Sequence, residues 1–240
     1  MSQLYSLTVV IPAYEENENL EVLLPQVLLE LKELSLSTFQ ILVVMRLNEA
    51  FDSLAKIESL GARAIRRVGD DSFGSAIKTG IQVSGKATSH LLFMDADGSH
   101  SPHSIPKLWR ASLEYSADIV IASRYVKGGS TANSYLEIQM SRILNAIYSI
   151  VLGIGAKDIS TNFKVYRTEL LENLDLRCSN YDIVEELLLK IKRKQKTLII
   201  VEIPDHFEQR QFGESKRKLS VFIASYVITL FRLRFMRQNK

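Results

Sequence analysis

The chain of 240 residues has one cysteine, little net charge and no apolar run long enough to cross a bilayer. The single cysteine, Cys178, excludes an intramolecular disulfide and a cysteine-rich zinc site, and it fits a reducing compartment. The apolar run Leu219–Phe231 falls short of the roughly twenty residues that a membrane span needs. A formal charge of +3 is too small to predict a nucleic-acid-binding protein.

Several signatures of common enzyme classes are also missing. The sequence contains no G-x-x-x-x-G-K-[ST] loop, no G-x-G-x-x-G fingerprint and no G-x-S-x-G elbow. Their absence argues against a nucleotide hydrolase, a dehydrogenase and an α/β-hydrolase. No basic residue precedes the first apolar run, and Glu15 and Glu16 follow it, which is unlike a signal peptide. We therefore expect a cytoplasmic protein whose first apolar run is a strand.

Short apolar runs alternate with amphipathic stretches. The predicted strands are Leu7–Ile11, Ile41–Val44, His90–Met94, Asp118–Ala122 and Thr197–Ile203. The predicted helices are Glu18–Leu34, Phe51–Leu60, Gly74–Ser84, Ser141–Leu152 and Tyr181–Lys192. Buried parallel strands joined by crossover helices give this pattern. It predicts an α/β fold with a Rossmann-like, doubly wound sheet and helices on both faces, whose ligands bind at the carboxyl ends of the strands.

Two aspartates one residue apart, Asp95 and Asp97, directly follow the predicted strand His90–Met94. A lone Asp-x-Asp is most often a solvated turn. At the end of a buried strand, however, two carboxylates can converge on a hard divalent cation whose other ligands are diphosphate oxygens and water. Such a cation neutralises the charge that builds up on a departing nucleoside diphosphate. We therefore predict a metal site for Mg²⁺ or Mn²⁺ at Asp95 and Asp97.

Five segments resemble the family 2 glycosyltransferases, and in particular the branch that mannosylates dolichol phosphate. They occur in the family's order between about residues 7 and 220. Residues 9–17 (VVIPAYEEN) resemble the family's "VVIPAYNEE", and residues 95–102 (DADGSHSP) resemble its "DADLQHPPE". Residues 123–129 (SRYVKGG), 158–167 (DISTNFKVYR) and 207–216 (FEQRQFGESK) resemble segments of that branch. The resemblance implies a GT-A fold, a nucleotide-sugar donor such as GDP-mannose or a UDP-sugar, and a polyprenyl or dolichyl phosphate acceptor.

The resemblance also implies roles for single residues. Pro12, Tyr14 and Glu16 are expected to line the nucleoside pocket, and Asp95 and Asp97 to hold the metal. Three cations, Arg124, Arg210 and Lys216, are expected to meet phosphate groups of the donor or the acceptor. A guanidinium fork matches the geometry of a phosphate, and an ammonium group supplies a mobile point charge. Gly213 beside Ser215 and Lys216 predicts a loop that closes over the bound diphosphate and excludes water.

Asp158 is a further candidate for catalysis. Transfer to a hydroxyl acceptor needs a general base. A phosphate acceptor is already largely dianionic at neutral pH, so the enzyme then has only to position it and to stabilise the leaving group. Asp158 is therefore either a participant in the reaction or a structural or metal-shell carboxylate.

The sequence departs from the family after the second strand. Relatives have "VVDDGSTD" there, and this chain has residues 43–50 (VVMRLNEA). The first of the lost aspartates contacts the base in the family, so the identity of the base is open. Met45 is a poor acceptor, and Arg46 reverses the local charge. Ser99 and Glu15 also replace family residues, a Gln near the metal and an Asn.

The C-terminal region is basic. From His206 to Lys240 there are eight Lys or Arg and two Glu, so this segment carries about +6. We expect residues 1–218 to form the GT-A domain and residues 219–240 an amphipathic helix. Two interpretations of that helix are open: ordinary packing on the domain, or peripheral contact with the cytoplasmic face of a membrane.

Two further hypotheses compete with transfer to a lipid phosphate. One is transfer to a saccharide or another hydroxyl acceptor. The other is a non-catalytic relative that binds a nucleotide sugar. The missing aspartates after Val44 favour this hypothesis, and the retained Asp95, Asp97, Arg124 and Lys216 argue against it.

Overall fold

The computed structural model describes residues 5–85, 88–208 and 228–235. In these ranges the strands are β1 Ser6–Pro12, β2 Thr38–Met45, β3 Arg63–Arg66, β4 His90–Phe93, β5 Ile119–Ser123, β6 Ser130–Thr131, β7 Lys164–Arg167, β8 Ile200–Pro204 and β9 His206–Phe207. The helices are α1 Asn17–Lys32, α2 Phe51–Ser59, α3 Phe73–Ser84, α4 Ile105–Glu114, α5 Tyr135–Leu152, α6 Thr168–Leu171 and α7 Ile183–Lys194.

Seven strands form the central sheet, in the order β3-β2-β1-β4-β7-β5-β8. All neighbouring pairs are parallel except those of β7, which runs antiparallel between β4 and β5. The strands at the centre are apolar on both faces, because helices cover both. Helices α1 and α4 pack on one face, and α3, α5 and α7 on the other. The predicted α/β fold with a mixed, doubly wound sheet is confirmed.

Two strands and one helix have weak sequence signals. The edge strand β3 has the sequence RAIR and buries only Ala64 of its four residues, so it shows no apolar run. In β7 the first residue is Lys164, which is fully buried and interrupts the apolar pattern. Helix α4 was not predicted either. It follows a 3₁₀ turn at Pro102–Ser104 and buries Leu108 and Trp109 against the sheet.

Helix α5 begins six residues before the predicted start. The capping box at its N-terminus explains the difference: Ser134 and Glu137 satisfy each other's exposed backbone N–H groups. Gly153 ends the helix in the left-handed conformation, with φ +66°. The helix is amphipathic, and its solvent side carries exposed apolar residues: Tyr135, Leu136, Ile143, Ile147 and Ile150.

Candidate active site

A cleft of about 340 Å³ opens at the carboxyl ends of β1 and β4. Pro12, the last residue of β1, lines it together with Tyr14 and Glu16 from the loop between β1 and α1. Asp95 and Asp97 line it from the segment after β4. These two segments are neighbours because β1 and β4 pair in parallel, so their carboxyl ends meet at the same edge of the sheet. The residues expected to hold the nucleoside and those expected to hold the metal thus share one cleft.

Asp97 is buried and held in place by its own turn. Its Oδ1 accepts hydrogen bonds from the backbone N–H of Ser99 at 3.0 Å and from the Ser99 hydroxyl at 2.5 Å. Gly98 allows the turn, with φ +77°. Ser99, which the sequence marked only as a departure from the family, therefore orients the carboxylate of Asp97.

Asp95 is positioned by two residues from other parts of the chain. The Nδ2 group of Asn162 donates to Asp95 Oδ1 at 3.0 Å. The backbone N–H of Asp95 donates to Nδ1 of His100 at 3.0 Å, and Nε2 of His100 lies 3.9 Å from Asp95 Oδ2. His100 is buried and stacks on Phe163, with 4.8 Å between the ring centroids. Asn162 and His100 therefore fix the direction of the Asp95 side chain.

The donor set suits a hard cation that shares its coordination with a substrate. Among the described residues there is no group of three or more His, Cys, Asp or Glu side chains able to enclose a metal. Mg²⁺ and similar ions commonly take one or two carboxylates and complete their coordination with phosphate oxygens and water. The pair Asp95 and Asp97, both facing the cleft, fits that pattern.

Arg67, which the sequence analysis did not identify, holds the base of the cleft together. Its buried guanidinium donates to backbone carbonyls of Met45, Asp71 and Ser72, each at 3.0 Å, and to the carbonyl of Ala13. Burial lowers the pKa of Arg67 below its ordinary value, although nearby Asp71 opposes the shift. One side chain thus connects the last residue of β2 with the segments that follow β1 and β3. Nothing in the polar sequence around it distinguishes Arg67 from a solvated arginine.

The departures from the family after β2 belong to one cluster of charges. Arg46 forms ion pairs with Glu15 at 2.9 Å and with Glu49 at 3.0 Å. The side chain of Met45 is buried in the core. The positive charge of Arg46 is therefore balanced by Glu15 and Glu49. Its ion pair with Glu15 also connects the loop after β2 to the loop after β1.

Arg124 is engaged with Asp158 and is not among the residues that line the cleft. Its Nε and Nη2 donate to the two carboxylate oxygens of Asp158 at 2.8 and 2.7 Å, and Nη2 also donates to Ser160 at 2.9 Å. The guanidinium lies 5.3 Å from the centre of the Phe207 ring, and that ring also packs against His100, with 5.6 Å between the ring centroids. Burial alone would raise the pKa of Asp158, but Arg124 holds it below its ordinary value.

This geometry gives Asp158 a positioning role. The side chain is fully buried, and both of its oxygens accept from Arg124, whose backbone N–H also donates to it at 2.9 Å. A base would need an oxygen within reach of the acceptor. Direct participation of Asp158 stays a prediction, and so does contact between Arg124 and a phosphate.

Polar side chains from other parts of the chain hydrogen-bond the backbone of the segment that carries Asp158 and Asn162. Glu202 accepts the backbone N–H of Asp158 at 2.9 Å, and Asn145 accepts those of Ile159 and Ser160. Lys164 donates to backbone carbonyls of the same segment, and burial lowers the pKa of its ammonium group below the ordinary value for lysine. These contacts place Asn162 against Asp95.

Arg210, Lys216, Gly213 and residues 219–227 lie outside the described residues, so their predicted roles stay predictions. The last described segment, 228–235, is helical and packs on the domain. Leu233 is fully buried in the core on the α7 side of the sheet, and Arg193 donates to its carbonyl at 3.2 Å. The side chain of Thr229 hydrogen-bonds Tyr148 of α5. None of the helices in ranges 5–85, 88–208 and 228–235 is long and apolar enough to span a membrane.

Residues 8–175 match the family model described as glycosyl transferase family 2. The chain is 30% identical over 216 residues to polyprenol monophosphomannose synthase of Mycolicibacterium smegmatis, covering 87% of this chain and 79% of that protein. It is 33% identical over 241 residues to dolichol-phosphate mannosyltransferase of Pyrococcus furiosus, covering 95% of this chain and 63% of that protein. The chain therefore spans less than two thirds of the length of the second relative.

Solved structures share the fold. Glucosyl-3-phosphoglycerate synthase from Mycobacterium tuberculosis, crystallised with Mn²⁺, UDP and glucosyl-3-phosphoglycerate, superimposes with a TM-score of 0.70 at 17% identity. That match covers 98% of this chain and 82% of the synthase. Another solved structure, described as that of a mycobacterial protein, gives a TM-score of 0.75 at 16% identity, over 98% of this chain and 76% of that one. At this level of identity the likeness concerns the fold alone.

Proposed function

The chain belongs to glycosyl transferase family 2, and on that premise we propose that it transfers a hexose from a nucleotide-sugar donor to a polyprenyl or dolichyl phosphate, with inversion at the anomeric carbon. The observation that carries the proposal is the cleft in which Asp95 and Asp97 face Pro12, Tyr14 and Glu16. The names of the relatives, which act on polyprenol and dolichol phosphates, favour a lipid-phosphate acceptor and mannose as the sugar.

In the proposed reaction an oxygen of the acceptor phosphate attacks the anomeric carbon of the donor. The bond between that carbon and the diphosphate breaks, and its electron pair leaves with the nucleoside diphosphate. Because the acceptor is already ionised near neutral pH, no side chain has to remove a proton. The work that remains is to hold two anions near each other and to stabilise the leaving group.

The residues of the cleft divide this work. Asp95 and Asp97 would hold Mg²⁺ or Mn²⁺, which supplies charge neutralisation for the departing diphosphate. His100, Asn162 and Ser99 fix the directions of the two carboxylates. Solved structures of the same fold contain Mn²⁺ or Mg²⁺ with UDP, which supports metal dependence.

Arg124, Arg210 and Lys216 are proposed to supply positive charge for the phosphates. Arg124 begins from its ion pair with Asp158, so in the proposed complex a phosphate would have to share the guanidinium with that carboxylate. Arg210 and Lys216 belong to residues 207–216, the segment for which the sequence predicts a closing loop.

We assign residues 1–218 to the transferase domain and residues 219–240 to a basic helix that contacts the cytoplasmic face of a membrane. Ile228, Phe231 and Phe235 are exposed in the described part of this helix, and Arg232 and Arg234 lie between them. The contact between Thr229 and Tyr148 sets the helix beside α5, whose exposed side is also apolar. Exposed apolar and basic side chains on one helix favour peripheral binding to anionic lipid.

Transfer of radiolabelled sugar tests the function. Purified protein is incubated with Mn²⁺, polyprenyl phosphate and labelled GDP-mannose, UDP-glucose or another UDP-hexose, and the organic phase is counted. We expect one donor to give a chloroform-extractable product, and none when polyprenol replaces its phosphate. Label that passes instead into a water-soluble saccharide would indicate a hydroxyl acceptor. Binding of a nucleotide sugar without transfer to any acceptor would indicate a non-catalytic relative.

A further inference from the structure

The carboxyl end of β2 contributes no acidic side chain to the cleft. Met45, the last residue of β2, is buried in the core, and Arg46 turns to Glu15 and Glu49. Neither residue is among those that line the cleft. The family's base-contacting aspartate therefore has no counterpart at its own position in this chain.

Asp71 brings a carboxylate to this place from a different loop. It lies between β3 and α3, lines the same cleft as Tyr14 and Asp97, and is partly exposed there. Its Oδ1 accepts the backbone N–H of Leu47, the second residue after β2, at 2.6 Å. The carboxylate of Asp71 is thus anchored at the end of β2, although its backbone belongs to the next loop.

Arg67 contacts both the backbone and the side chain of Asp71. Arg67 donates to the backbone carbonyl of Asp71 at 3.0 Å, and its Nε lies 3.8 Å from Asp71 Oδ1. In the described part of the chain the hydrogen bond and the ion pair of this carboxylate both involve Oδ1. Oδ2 is therefore available to a ligand in the cleft. The neighbouring Asp70 is different, because its Oδ1 is taken up by Ser72 and Ser75 at the start of α3.

We propose that Asp71 reads the base of the donor, with Oδ2 accepting a ring N–H, and so replaces the acceptor that positions 45 and 46 lack. The inference rests on the proposed function, since it assumes a nucleotide-sugar donor in this cleft. An ionised carboxylate only accepts hydrogen bonds. Uracil and guanine present a ring N–H to such an acceptor, whereas the corresponding ring nitrogen of cytosine or adenine is itself an acceptor. Asp71 would therefore select uracil or guanine.

The substitution Asp71→Asn tests this with little change in shape. The amide oxygen of the asparagine can keep the hydrogen bond from Leu47, and the amide nitrogen then stands where Oδ2 was. An acceptor towards the base becomes a donor. Calorimetric titrations with UDP, GDP, CDP and ADP, each with Mn²⁺, compare the wild-type protein with this variant. Inorganic pyrophosphate with Mn²⁺ is the probe without a base, and Asp70→Asn is the matched control.

We expect wild-type protein to prefer UDP or GDP. The variant should lose about 10- to 100-fold in affinity for the preferred diphosphate, the usual effect of a hydrogen bond to a charged group. It should keep or gain affinity for CDP and bind pyrophosphate as before, and Asp70→Asn should behave as wild type. Equal losses for all four nucleotides, an equal loss for pyrophosphate or an unchanged preference would overturn the assignment of Asp71. Failure of wild-type protein to bind any nucleoside diphosphate would overturn the proposed function, and this inference with it.

Discussion

Arg124 donates hydrogen bonds to both carboxylate oxygens of Asp158, at 2.7 and 2.8 Å, and the Asp158 side chain is fully buried. Asp158 stands at the start of the segment that brings Asn162 to Asp95. The ion pair therefore joins the end of β5 to the loop that orients a proposed metal ligand. The contribution of this ion pair to the free energy of unfolding can be measured without a phosphate ligand, and so separately from any role of Arg124 in phosphate binding.

We expect Arg124→Met to destabilise the protein by about 3–5 kcal/mol, because it leaves a buried carboxylate without its partner. The double variant Arg124→Met/Asp158→Leu should regain much of this loss, since no uncompensated charge remains. Urea unfolding measures both. Lys56→Met, which removes an exposed pair with Glu21, serves as the control and should cost less than about 1 kcal/mol. The single variant Asp158→Leu is measured in the same way, and a loss in the double variant that equals the sum of the two single losses would contradict the prediction.

Asp97→Asn should lower transferase activity by several orders of magnitude while the fold remains. Asparagine can still accept the hydrogen bonds from Ser99, so the turn persists, but the charge that a hard cation requires is gone. Activity is measured with saturating Mn²⁺, and thermal unfolding checks the fold. The control is Asp52→Asn, which removes an exposed carboxylate in the first turn of α2. Normal turnover in Asp97→Asn, or full wild-type activity in EDTA, would refute the metal role.

Lys216→Ala tests the predicted closing loop. If Lys216 touches the diphosphate mainly as it departs, kcat and kcat/KM should fall together. Lys218→Ala, two residues further on, removes the same charge and is the matched control. A raised KM with an unchanged kcat would instead make Lys216 a contact that binds donor and transition state equally.

His90 should make the protein less stable in mild acid. Its ring is buried between Tyr5 and Trp109, and burial together with Arg167 lowers its pKa to about 4 from the usual 6.5. Between these two values the unfolded chain is protonated at this residue and the native protein is not, so stability falls as pH falls from about 6.5 to 4. The shift corresponds to about 3 kcal/mol at most.

Urea unfolding of wild type, His90→Gln and His103→Gln between pH 4 and 7 checks the role of His90. The variant at position 90 should lose the His90 part of the pH dependence, whereas the variant at the exposed position 103 should keep it. The same slope in all three proteins would show that other groups cause the acid sensitivity.

The sequence predicted the parts of the site that are local in the chain. Asp95 and Asp97 directly follow a buried strand, and residues 12–16 directly follow another, so parallel pairing brings them together at one edge of the sheet. Arg67 and Asp71 could not be found in this way. They lie in a polar stretch after the weakly patterned strand β3, and only the tertiary structure shows that one is buried and the other reaches the end of β2. Likewise, Lys164 masked strand β7 because a buried charge breaks the apolar pattern that identifies a strand.

The basic C-terminal segment should bind anionic membranes in a salt-dependent way. Each basic residue near an anionic leaflet contributes about 1 kcal/mol, and exposed apolar side chains such as Phe231 and Phe235 add to it. Exposed charges are screened within about 8 Å at physiological ionic strength, so high salt should release the protein. Wild-type protein should float with anionic liposomes at low salt and remain in the soluble fraction with neutral ones.

Replacing Arg232, Arg234 and Arg237 together by Gln should reduce this flotation strongly. Arg232 also lies 3.4 Å from Asp182, so thermal unfolding must show that the variant is folded. The matched control replaces Lys32, Arg63 and Arg110 by Gln; it removes the same charge from α1, β3 and α4, on elements away from the C-terminal helix. If the basic segment is the contact, the first variant loses binding and the second keeps it. Equal losses would mean that net charge alone draws the protein to the membrane, and no flotation of wild-type protein at any salt concentration would refute the peripheral contact.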